Sequence, residues 1–581
     1  MPQSQYLDSE FKKKGGVFYT PQYLANYVAQ RMLSFADIKN NGTDFSVLDP
    51  ACGDGMLLNA FLNKFNQRNS NNKLKILGTD IDAYALNVSD NYFKNKSTCN
   101  FNFKQINALQ PHDSQQVKTT WLRIQEDIFK SKTIDFIISN PPWGADLTAF
   151  NKDFLQRNYK VAYGQFNSYD LFVELILNIL SPNGYYALIL PDSIFNIEHS
   201  RIRKQLLDTK ILMIARLGEK IFTGINRACS IVIGQKTKPT DQHLVSCFHL
   251  SKELRVKVLN NDLTLDQAEK ALSHIIPQAR FAENPQFSFD IDLRKRELSI
   301  VDKIEKNAPP LSIFAKNTRG VELSKHGKVC ECPKCEKWFP LPIVINNCPH
   351  CKMSIKDENI KRETIIYNRK KENTLQLKAG EDLFRFTSFS NKWIDVTKKG
   401  INYKNLSIYE GTKILVRKTG VGITASLDYD NALSNQVVYI LQLRKEFQDK
   451  LTLEFLLALI NSRVITYYLL KKYGETEWRT HPYLTQGTVN NLPMPHLDFK
   501  DKTLKKSIMT LSERIKEEVI NSKKENISVE LDRDLEYFIG QLYGLNKKDY
   551  AVIFQELKAA EQLIPLKRLL LDITAETVFQ V

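Results

Sequence analysis

The sequence predicts an α/β protein with a doubly wound, mostly parallel sheet, joined to an α+β region with a zinc ribbon and to a helical C-terminal region. Three observations support this prediction. Strand and helix patterns alternate over residues 20–250, short β-rich runs and paired cysteines occupy residues 311–495, and helical periodicity returns from about residue 500. Repeated strand–helix units form mostly parallel sheets that carry helices on both faces.

The individual elements follow from two local patterns. Continuous apolar runs of strand length predict buried strands, whereas apolar residues three or four positions apart predict helices. In the first region we expect strands at 45–49, 74–78, 134–139, 185–190 and 230–234, and helices at 21–35, 56–65 and 171–180. Further along we expect helical structure at 251–310, β-rich runs at 413–417 and 436–441, and helical segments at 504–518 and 563–571.

Composition limits the classes of protein that fit this chain of 581 residues. It is 43% hydrophobic and 25% charged, which is typical of globular proteins and excludes a disordered one. Lys and Arg number 81 against 65 Asp and Glu, so the formal net charge of +16 favours a polyanionic partner. No apolar run approaches the roughly 20 residues of a membrane span, and the polar start lacks a signal-peptide core. We therefore expect a cytoplasmic protein that does not enter a membrane.

A glycine-rich loop follows the first predicted strand. The segment Val47–Leu57 reads Val-Leu-Asp-Pro-Ala-Cys-Gly-Asp-Gly-Met-Leu, and Gly53 and Gly55 permit close approach to the backbone. Asp49 ends this strand and Asp80 ends the next one, where a carboxylate can accept hydrogen bonds from ribose hydroxyls. An ordinary tight turn explains the loop by itself, but the acids at two strand ends favour a nucleoside-type cofactor.

The segment Asn140-Pro141-Pro142-Trp143 directly follows another predicted strand. Two prolines remove two N–H donors and fix the backbone, so the loop becomes a rigid set of acceptors. The Asn140 side-chain oxygen and the Pro141 carbonyl suit the two protons of an aromatic amine, whose lone pair they would localise for attack on an alkyl group. Trp143 offers a face for stacking. The alternative is a proline-rich turn with a partly buried Trp.

In this order, the motifs resemble those of gamma-class DNA amino-methyltransferases, which use S-adenosylmethionine (AdoMet). The resemblance covers residues 15–235 and implies a Rossmann-like AdoMet-dependent catalytic domain. Residues 140–143 match the catalytic motif, and Asn at its first position is similar to the N6-adenine branch. Phe222 matches an aromatic that stacks on the flipped base, so the resemblance implies that Trp143 and Phe222 sandwich the extruded ring; core packing is the alternative for Phe222. The implied activity is methyl transfer to a flipped-out adenine in double-stranded DNA.

The same resemblance implies a set of cofactor-binding residues. Residues 16–21 resemble the N-terminal cofactor motif, with Thr20 near the methionine moiety. Asp80 and Ile81 match the ribose-binding acid and the residue that packs on the cofactor adenine. Asn107 stands where the family often has Asp, and its amide still accepts a hydrogen bond. The complete implied set is Tyr19, Thr20, Asp49, Ala51, Gly53, Gly55, Asp80, Ile81, Asn107 and Asn140.

Downstream segments extend the resemblance to type II and type IIG restriction–modification methyltransferases. Residues 413–422, 435–439 and 481–486 look like their target-recognition segments. The candidate DNA contacts there are Arg417, Lys418 and Arg479. A solvated basic face is the alternative for each of them. Type IIG enzymes carry a nuclease before the first motif, and we expect none here because that motif begins at Gly15.

Two Cys-x-x-Cys pairs lie between the predicted β-rich runs. Cys332-Pro-Lys-Cys335 and Cys348-Pro-His-Cys351 are separated by 12 residues. Four thiolates complete a tetrahedral structural zinc site and leave no open position for catalysis. Redox or disulfide pairs are the alternative. Two roles for the ribbon stay open at this stage, support of a DNA-contacting loop and scaffolding.

The sequence therefore indicates four regions with distinct roles. These are an AdoMet-dependent catalytic domain at 1–250, a helical connector at 251–310, a target-recognition domain at 311–495 with the ribbon at 330–352, and a helical region at 496–581. We expect double-stranded DNA and cognate restriction or defence proteins as partners of a monomer. Two other functions remain: an RNA or protein-glutamine methyltransferase with the same loop, and an inactive DNA-binding zinc-ribbon protein.

Overall fold

The structure is a computed structural model with two compact units, Met1–Asp292 and Leu293–Val581. It describes residues 19–580 except 39–41, 43, 69–70, 95, 97–98, 112–115, 132, 223, 225–226, 325, 343–346, 356–359, 421, 474–483, 522–524, 561–568 and 570–572. Among these residues, the first unit holds one large sheet, and the second unit holds three smaller sheets with several helices.

The first unit is built on a nine-stranded sheet. Its strands are β1 (Asp44–Asp49), β2 (Lys73–Asp80), β3 (Cys99–Gln105), β4 (Phe136–Ser139), β5 (Tyr185–Pro191), β6 (Lys210–Gly218), β7 (Cys229–Gln235), β8 (Leu244–His249) and β9 (His274–Pro277). They are ordered β3-β2-β1-β4-β5-β7-β6-β8-β9, and β3 to β5 in that order are parallel. β7 runs antiparallel to both neighbours. The predicted doubly wound, mostly parallel sheet is confirmed.

Helices flank this sheet and alternate with its first strands. They are α1 (Gln22–Phe35), α2 (Met56–Arg68), α3 (Ala83–Phe93), α4 (Val117–Phe129), α5 (Lys152–Asn158), α6 (Ser168–Ile179), α7 (Ser200–Leu207), α8 (Lys252–Leu259), α9 (Leu265–Leu272) and α10 (Gln278–Glu283). α6 begins three residues before the predicted helix because Asn167 and Asp170 form a capping box. Almost every residue of α6 is buried, so it is a core helix.

The carboxyl ends of four adjacent parallel strands meet at one edge of this sheet. β1 pairs with β2 on one side and with β4 on the other, and β4 pairs with β5. Asp80, Asp49, Ser139 and Pro191 end these strands and therefore share the edge. Doubly wound sheets bind their ligands at this edge.

The structure corrects the prediction of a purely helical connector at 251–310. Residues 274–277 form the edge strand β9, which pairs antiparallel with β8. The first compact unit also extends to Asp292. Three further strands, β3, β6 and β8, were not predicted from the sequence. β3 is largely half-buried and carries Asn and Lys between its aromatic residues, so it lacks the continuous apolar run that marks a central strand.

The second unit contains three small sheets. Its strands are β10 (Ala315–Arg319), β11 (Lys328–Glu331), β12 (Trp338–Pro340), β13 (Lys361–Thr364), β14 (Ile366–Tyr367), β15 (Thr374–Lys378), β16 (Lys392–Asp395), β17 (Lys413–Arg417), β18 (Ala425–Asp428), β19 (Leu433–Ser434) and β20 (Val438–Leu443). The sheets are ordered β10-β20-β17-β18, β14-β16-β15-β19 and β12-β11-β13. The predicted β-rich runs at 413–417 and 436–441 correspond to β17 and β20.

Helices complete the second unit. They are α11 (Lys295–Glu305), α12 (Leu453–Ile460), α13 (Arg463–Tyr473), α14 (Gln486–Asn490), α15 (Lys502–Asn521), α16 (Val529–Leu542), α17 (Lys547–Ala559) and α18 (Ala575–Val578). The buried Arg463 joins α13 to α16 through Asp532 at 3.0 Å and Glu536 at 3.1 Å. Most of the Leu-rich segment at 563–571 lies outside the described residues. Within the described chain, no single helix has the length and apolarity of a membrane span, although α12 and α13 meet that test as a pair bent by 47°.

Candidate active site

A cleft of about 190 Å³ opens at the edge where the parallel strands end. The glycine loop after β1, the ends of β2 and β4 and the start of α6 form its walls. The predicted site residues that line it are Tyr19, Thr20, Asp49, Ala51, Gly53, Asp80, Ile81, Asn107, Asn140 and Pro142. Gly55, Pro141, Trp143 and Phe222 do not line the cleft.

Asp49 ties the glycine loop to the strand that carries the Asn-Pro-Pro-Trp motif. Its carboxylate accepts a hydrogen bond from the Ser139 hydroxyl at 2.7 Å and one from the Ala51 backbone N–H at 3.0 Å. Burial raises the pKa of Asp49 to about 7, although these two hydrogen bonds favour the charged form. The cleft therefore contains a carboxyl group that titrates near neutral pH.

Asp80 holds the turn of the glycine loop from the neighbouring strand. One of its carboxylate oxygens accepts the Gly53 backbone N–H at 2.8 Å, and the other accepts the Asp82 N–H at 2.9 Å. Burial raises its pKa. Gly53 has a φ of +51°, and a Cβ there would lie 3.2 Å from the Tyr19 ring. A side chain at Gly53 would therefore strain the backbone and press on the wall of the cleft.

Gly55 was predicted to contact the cofactor, but it does not line the cleft. Its φ is +77°, and a Cβ there would lie 2.9 Å from the Ser89 hydroxyl of α3. The need for glycine comes from the backbone conformation and from packing against α3. Glycine at this position of the motif is therefore explained by the shape of the loop, without a contact in the cleft.

Ile81 and Asn107 lie where the cleft is more exposed. Ile81 is 53% exposed, so its apolar side chain is accessible from the cleft. The Asn107 side-chain oxygen accepts the backbone N–H of Leu109 at 3.2 Å. This local turn fixes the amide in the cleft wall, and its carbonyl oxygen has a second lone pair.

Asn140 lies in the cleft wall, and Thr20 orients its side chain. The Asn140 Nδ2 group donates to the Thr20 hydroxyl at 3.2 Å, which fixes which end of the amide is the acceptor. The next residue, Pro141, is buried, and among the described residues no donor reaches its carbonyl group. Asn140 thus contributes to the cleft wall, and the adjacent Pro141 carbonyl keeps its acceptor capacity.

Ser168, the first residue of α6, anchors the rest of the motif loop. Its hydroxyl donates to the Pro142 carbonyl at 2.6 Å and accepts the backbone N–H groups of Gly144 and Ala145, both at 3.1 Å. Asn167 adds a hydrogen bond from the Gly144 N–H at 2.7 Å. Ser168 is buried. No sequence pattern predicts this role, because Ser168 lies 26 residues beyond Pro142 and carries no local signal.

Trp143 and Phe222 do not form the predicted sandwich for a flipped base. Each is 1% exposed, and their rings meet edge to face with centroids 5.2 Å apart at an angle of 85°. Rings in direct contact leave no gap for a base between them. The Trp143 indole N–H donates to the Ile189 carbonyl at 3.3 Å. In this arrangement the two side chains pack beneath the motif loop, as the alternative of a buried Trp predicts.

The cleft wall also contains residues that the sequence analysis did not single out. Asp54 lies between the two loop glycines, and burial raises its pKa. An acid inside the glycine loop was a usable signal for this residue. The others are apolar or come from α6 and the segment after the motif, and they include Asp146, Leu147, Phe150 and Phe172.

The four predicted zinc ligands lie together in the second unit. The Sγ atoms of Cys332, Cys335, Cys348 and Cys351 all lie within 4.8 Å of one another. The Cys332–Cys351 and Cys335–Cys348 sulfur pairs are 3.6 and 3.7 Å apart. Zn–S bonds of about 2.3 Å in a tetrahedron place sulfur atoms about 3.8 Å apart, so the geometry fits a zinc site with four cysteine ligands. The knuckles join β11 to β12 and β12 to β13.

The predicted DNA contacts lie near the end of β17. Arg417 and Lys418 are half-buried, and their backbone N–H groups donate to Thr424 and Val437. Burial and the nearby Arg319 lower the pKa of Lys418. The third candidate, Arg479, lies outside the described residues.

Two family models match this chain. The model for N-6 DNA methylases covers residues 5–300, just over half of the chain, and the model for the TaqI-like C-terminal specificity domain covers residues 353–494. The first match contains the cleft and the second contains β17 and β20. The cysteine knuckles lie between the two matched segments.

Individual proteins agree with these matches. The chain is 27% identical over 318 residues to the type II methyltransferase M.VspI of Vibrio sp. (strain 343), covering 54% of this chain and 64% of that protein. It is 27% identical over 232 residues to the modification methylase CviBIII of Paramecium bursaria Chlorella virus NC1A, covering 39% of this chain and 52% of that protein. The chain thus spans less than two thirds of each relative.

A solved structure is similar in fold. The ATP-dependent type ISP restriction–modification enzyme LlaBIII bound to DNA superposes with a TM-score of 0.51 at 11% identity, covering 86% of this chain and 39% of that one. At this identity the likeness concerns the fold.

Proposed function

The chain belongs to the N-6 DNA methylase family, and we propose that it transfers the methyl group of AdoMet to N6 of adenine at a specific sequence in duplex DNA. The observation that carries this proposal is the position of Asn140 in the wall of a cleft whose acids suit a nucleoside cofactor. The family match favours DNA over the alternatives of RNA and protein amides. In this proposal the chain acts in a restriction–modification or defence system.

The motif loop would activate the adenine amine by accepting its two protons. The amine is a poor nucleophile because its lone pair is delocalised into the ring. The Asn140 side-chain oxygen and the Pro141 carbonyl would draw the nitrogen towards tetrahedral geometry and stabilise the positive charge that develops on it. The hydrogen bond from Asn140 to Thr20 holds the amide in the required orientation. The nitrogen becomes acidic after transfer, so no base is needed before attack.

The cleft residues fit a nucleoside cofactor. Asp80 would accept hydrogen bonds from the ribose, exposed Ile81 would pack on the adenine, and Asn107 would accept from the adenine amino group. Thr20 would lie near the methionine moiety, and Tyr19 lines the same cleft. Bound AdoMet supplies an electrophilic methyl group on a sulfonium centre.

Adenine in a duplex is stacked, so the proposed reaction requires its rotation out of the helix at a cost of a few kcal/mol. Because the Trp143 and Phe222 rings already contact each other, their proposed role is to brace the motif loop from below. The acceptors on Asn140 and Pro141 then keep their positions while the base enters.

Replacement of Asn140 tests this proposal. We expect Asn140→Ala to lower methyl transfer by several orders of magnitude, because one of two amine acceptors is lost, while AdoMet affinity stays within about twofold. Unmethylated DNA amplified from a genome contains every short recognition site and serves as the substrate, with RNA and a protein mixture alongside. Asn63→Ala, on the exposed side of α2, is the matched control.

Mass spectrometry of the modified bases identifies the product. Formation of 6-methyladenine by the wild type, and its loss in Asn140→Ala, would support the proposal. A label transferred only to RNA or protein would refute it. An Asn140→Ala variant as active as the wild type would refute the acceptor role.

The second unit is the proposed recognition region. The specificity-domain match, the net positive charge of the chain and the half-buried basic residues at the end of β17 support this assignment. Lys418, Arg417 and Arg479 remain the proposed DNA contacts. In the proposed division the catalytic unit extends to Asp292 and takes in most of the expected connector at 251–310, and it is followed by a recognition domain at 311–495 and a helical region at 496–581.

The cysteine cluster is the proposed site of a structural zinc ion. Its four sulfur atoms have tetrahedral spacing, and the backbone N–H groups of His350 and Cys351 donate to Cys348 Sγ at 3.4 and 3.5 Å. We expect one zinc per chain by elemental analysis. Cys332→Ser should lose the metal and unfold at a lower temperature, whereas Cys99→Ser, half-buried in the first unit, should keep the metal. A metal-free wild type with unchanged melting would refute the site.

A further inference from the structure

Arg227 lies beside the motif loop but takes no part in the function proposed so far. Its guanidinium group donates to the Trp143 carbonyl at 2.8 Å. A Cβ on Gly144 would lie 3.5 Å from Arg227 Nη1, so the arginine also borders the next residue of the loop. Although Trp143 is buried, Arg227 is exposed. The residue therefore connects the buried base of the motif loop to the protein surface.

The topology explains how Arg227 reaches this position. β7 begins at Cys229 and runs antiparallel to β5, with Cys229 paired to Pro191. The start of β7 therefore lies at the edge where β5 and the other parallel strands end. Arg227, two residues before this strand, lies at the same edge as Asn140. The start of an antiparallel strand thus places a cation at the edge of the sheet where the cleft opens.

The geometry points to Arg227 as a phosphate-binding residue that holds the DNA backbone next to the extruded adenine. This inference rests on the proposed function and adds a specific contact to it. DNA must approach this edge of the sheet for a base to reach Asn140. An arginine at this rim is a permanent positive charge, and its planar group of five N–H donors suits phosphate oxygens.

The hydrogen bond to Trp143 gives this contact a second consequence. A guanidinium group fixed on the carbonyl of the motif loop loses less conformational freedom when it binds a phosphate than an unattached side chain would. It would also set the distance between the held phosphate and the acceptors on Asn140 and Pro141. Arg227 is thus a positioning residue for DNA and does not contact the cofactor.

The salt dependence of methylation separates a phosphate contact from a structural role. Each neutralised phosphate contributes about 0.9 to the slope of log affinity against log salt concentration. Between roughly 50 and 200 mM salt, kcat/KM for DNA should therefore fall about 3.5-fold less in a variant that has lost one contact than in the wild type. The substrate is the amplified unmethylated genomic DNA, and the enzyme is the full chain.

We expect Arg227→Gln to raise KM for DNA at roughly 150 mM salt by about tenfold and to show this flatter salt dependence, with unchanged AdoMet affinity. Arg227→Lys keeps a charge and should retain most of the salt slope. Arg68→Gln is the matched control, because Arg68 is exposed at the end of α2, at the opposite edge of the sheet. It should behave as the wild type.

Three outcomes would overturn the inference. A fall in kcat with unchanged KM and salt slope would mean that Arg227 only holds the Trp143 carbonyl. Wild-type behaviour of both Arg227 variants would mean that it does neither. If the wild type binds AdoMet but methylates no DNA, the proposed function fails, and this inference fails with it. If Arg227→Gln does not fold, Arg227→Lys against the wild type still decides, because a lysine that lowers the salt slope by the full contribution of one contact, about 0.9, would contradict a charge contact.

Discussion

Two loops meet at the cleft, and different chemistry holds each of them. The glycine loop after β1 is fixed by buried carboxylates at strand ends, Asp49 and Asp80, which accept backbone N–H groups. The motif loop after β4 is held by the Ser168 and Thr20 hydroxyls, which are neutral, and by Arg227, whose charge does not change with pH in the neutral range. The difference teaches that the cofactor side is sensitive to charge and pH, whereas the substrate side depends on the positions of acceptor atoms.

Among the variants that test this difference between the two loops, loss of the Asp80 carboxylate should have the largest effect. Asp80→Ala removes the acceptors for Gly53 and Asp82, and hydrogen bonds to a charged group contribute about 1.5–3 kcal/mol each. We expect AdoMet affinity to fall at least about 100-fold by calorimetry, while kcat at saturating AdoMet falls less than about tenfold. Asp90→Ala, half-buried on α3 and outside the cleft, is the control. An equal loss in kcat would show that the two loops do not act separately.

Removal of the Ser168 hydroxyl should give the opposite result. Ser168→Ala leaves the Pro142 carbonyl and the Ala145 N–H without their partner, at a cost of about 1–3 kcal/mol each, whereas the Gly144 N–H keeps its hydrogen bond to Asn167. We expect kcat for methyl transfer to fall about 10- to 100-fold with AdoMet affinity unchanged. Ser168→Thr keeps a hydroxyl and should recover much of the rate. A change in AdoMet affinity alone would contradict the assignment of Ser168 to the substrate side.

The smallest effect concerns pH and comes from Asp49. Its pKa of about 7 lies above its value in an unfolded chain, so its contribution to stability is complete at low pH and is lost as the pH rises through 7. Binding of a cationic ligand favours the ionised form. AdoMet affinity should therefore rise with pH, by up to about tenfold between roughly pH 6 and 8, since a group of pKa about 7 goes from about one tenth to nine tenths ionised.

Calorimetric titrations at several pH values measure this dependence, and thermal melting of the unliganded protein checks the stability change. Asp49→Asn cannot ionise and should bind AdoMet with little dependence on pH over this range. If this variant and the wild type have the same pH profile, another group is responsible.

The sequence predicted the features that depend on residues close together in the chain, namely strands, loop motifs and the cysteine pairs. The apolar runs of β1, β2, β4 and β5 predicted strands, and the carboxyl ends of parallel strands predicted that residues far apart in the chain would share one cleft. The CxxC pairs predicted a cluster whose sulfur atoms the structure places together.

Contacts between distant segments could not be predicted in the same way. Ser168 and Arg227 reach the motif loop from α6 and from the segment before β7, and each pairs with a backbone carbonyl, for which any residue type would serve. Trp143 and Phe222 contact each other because two loops converge, whereas the family resemblance placed a base between them. Gly55 appears in the motif for reasons of backbone shape, which sequence patterns do not distinguish from ligand contact.

The antiparallel β7 brings the segment between β6 and β7 to the edge of the sheet where the cleft opens. β7 lies between β5 and β6 in the sheet. The segment from 219 to 228 connects β6 to β7, and neither of these strands carries the glycine loop. Substitutions or changes of length in that hairpin can remodel the rim while the strands beneath the donor pocket keep their register. The sheet thus separates a segment that can tolerate change from the two strands whose ends hold the glycine loop and the motif loop.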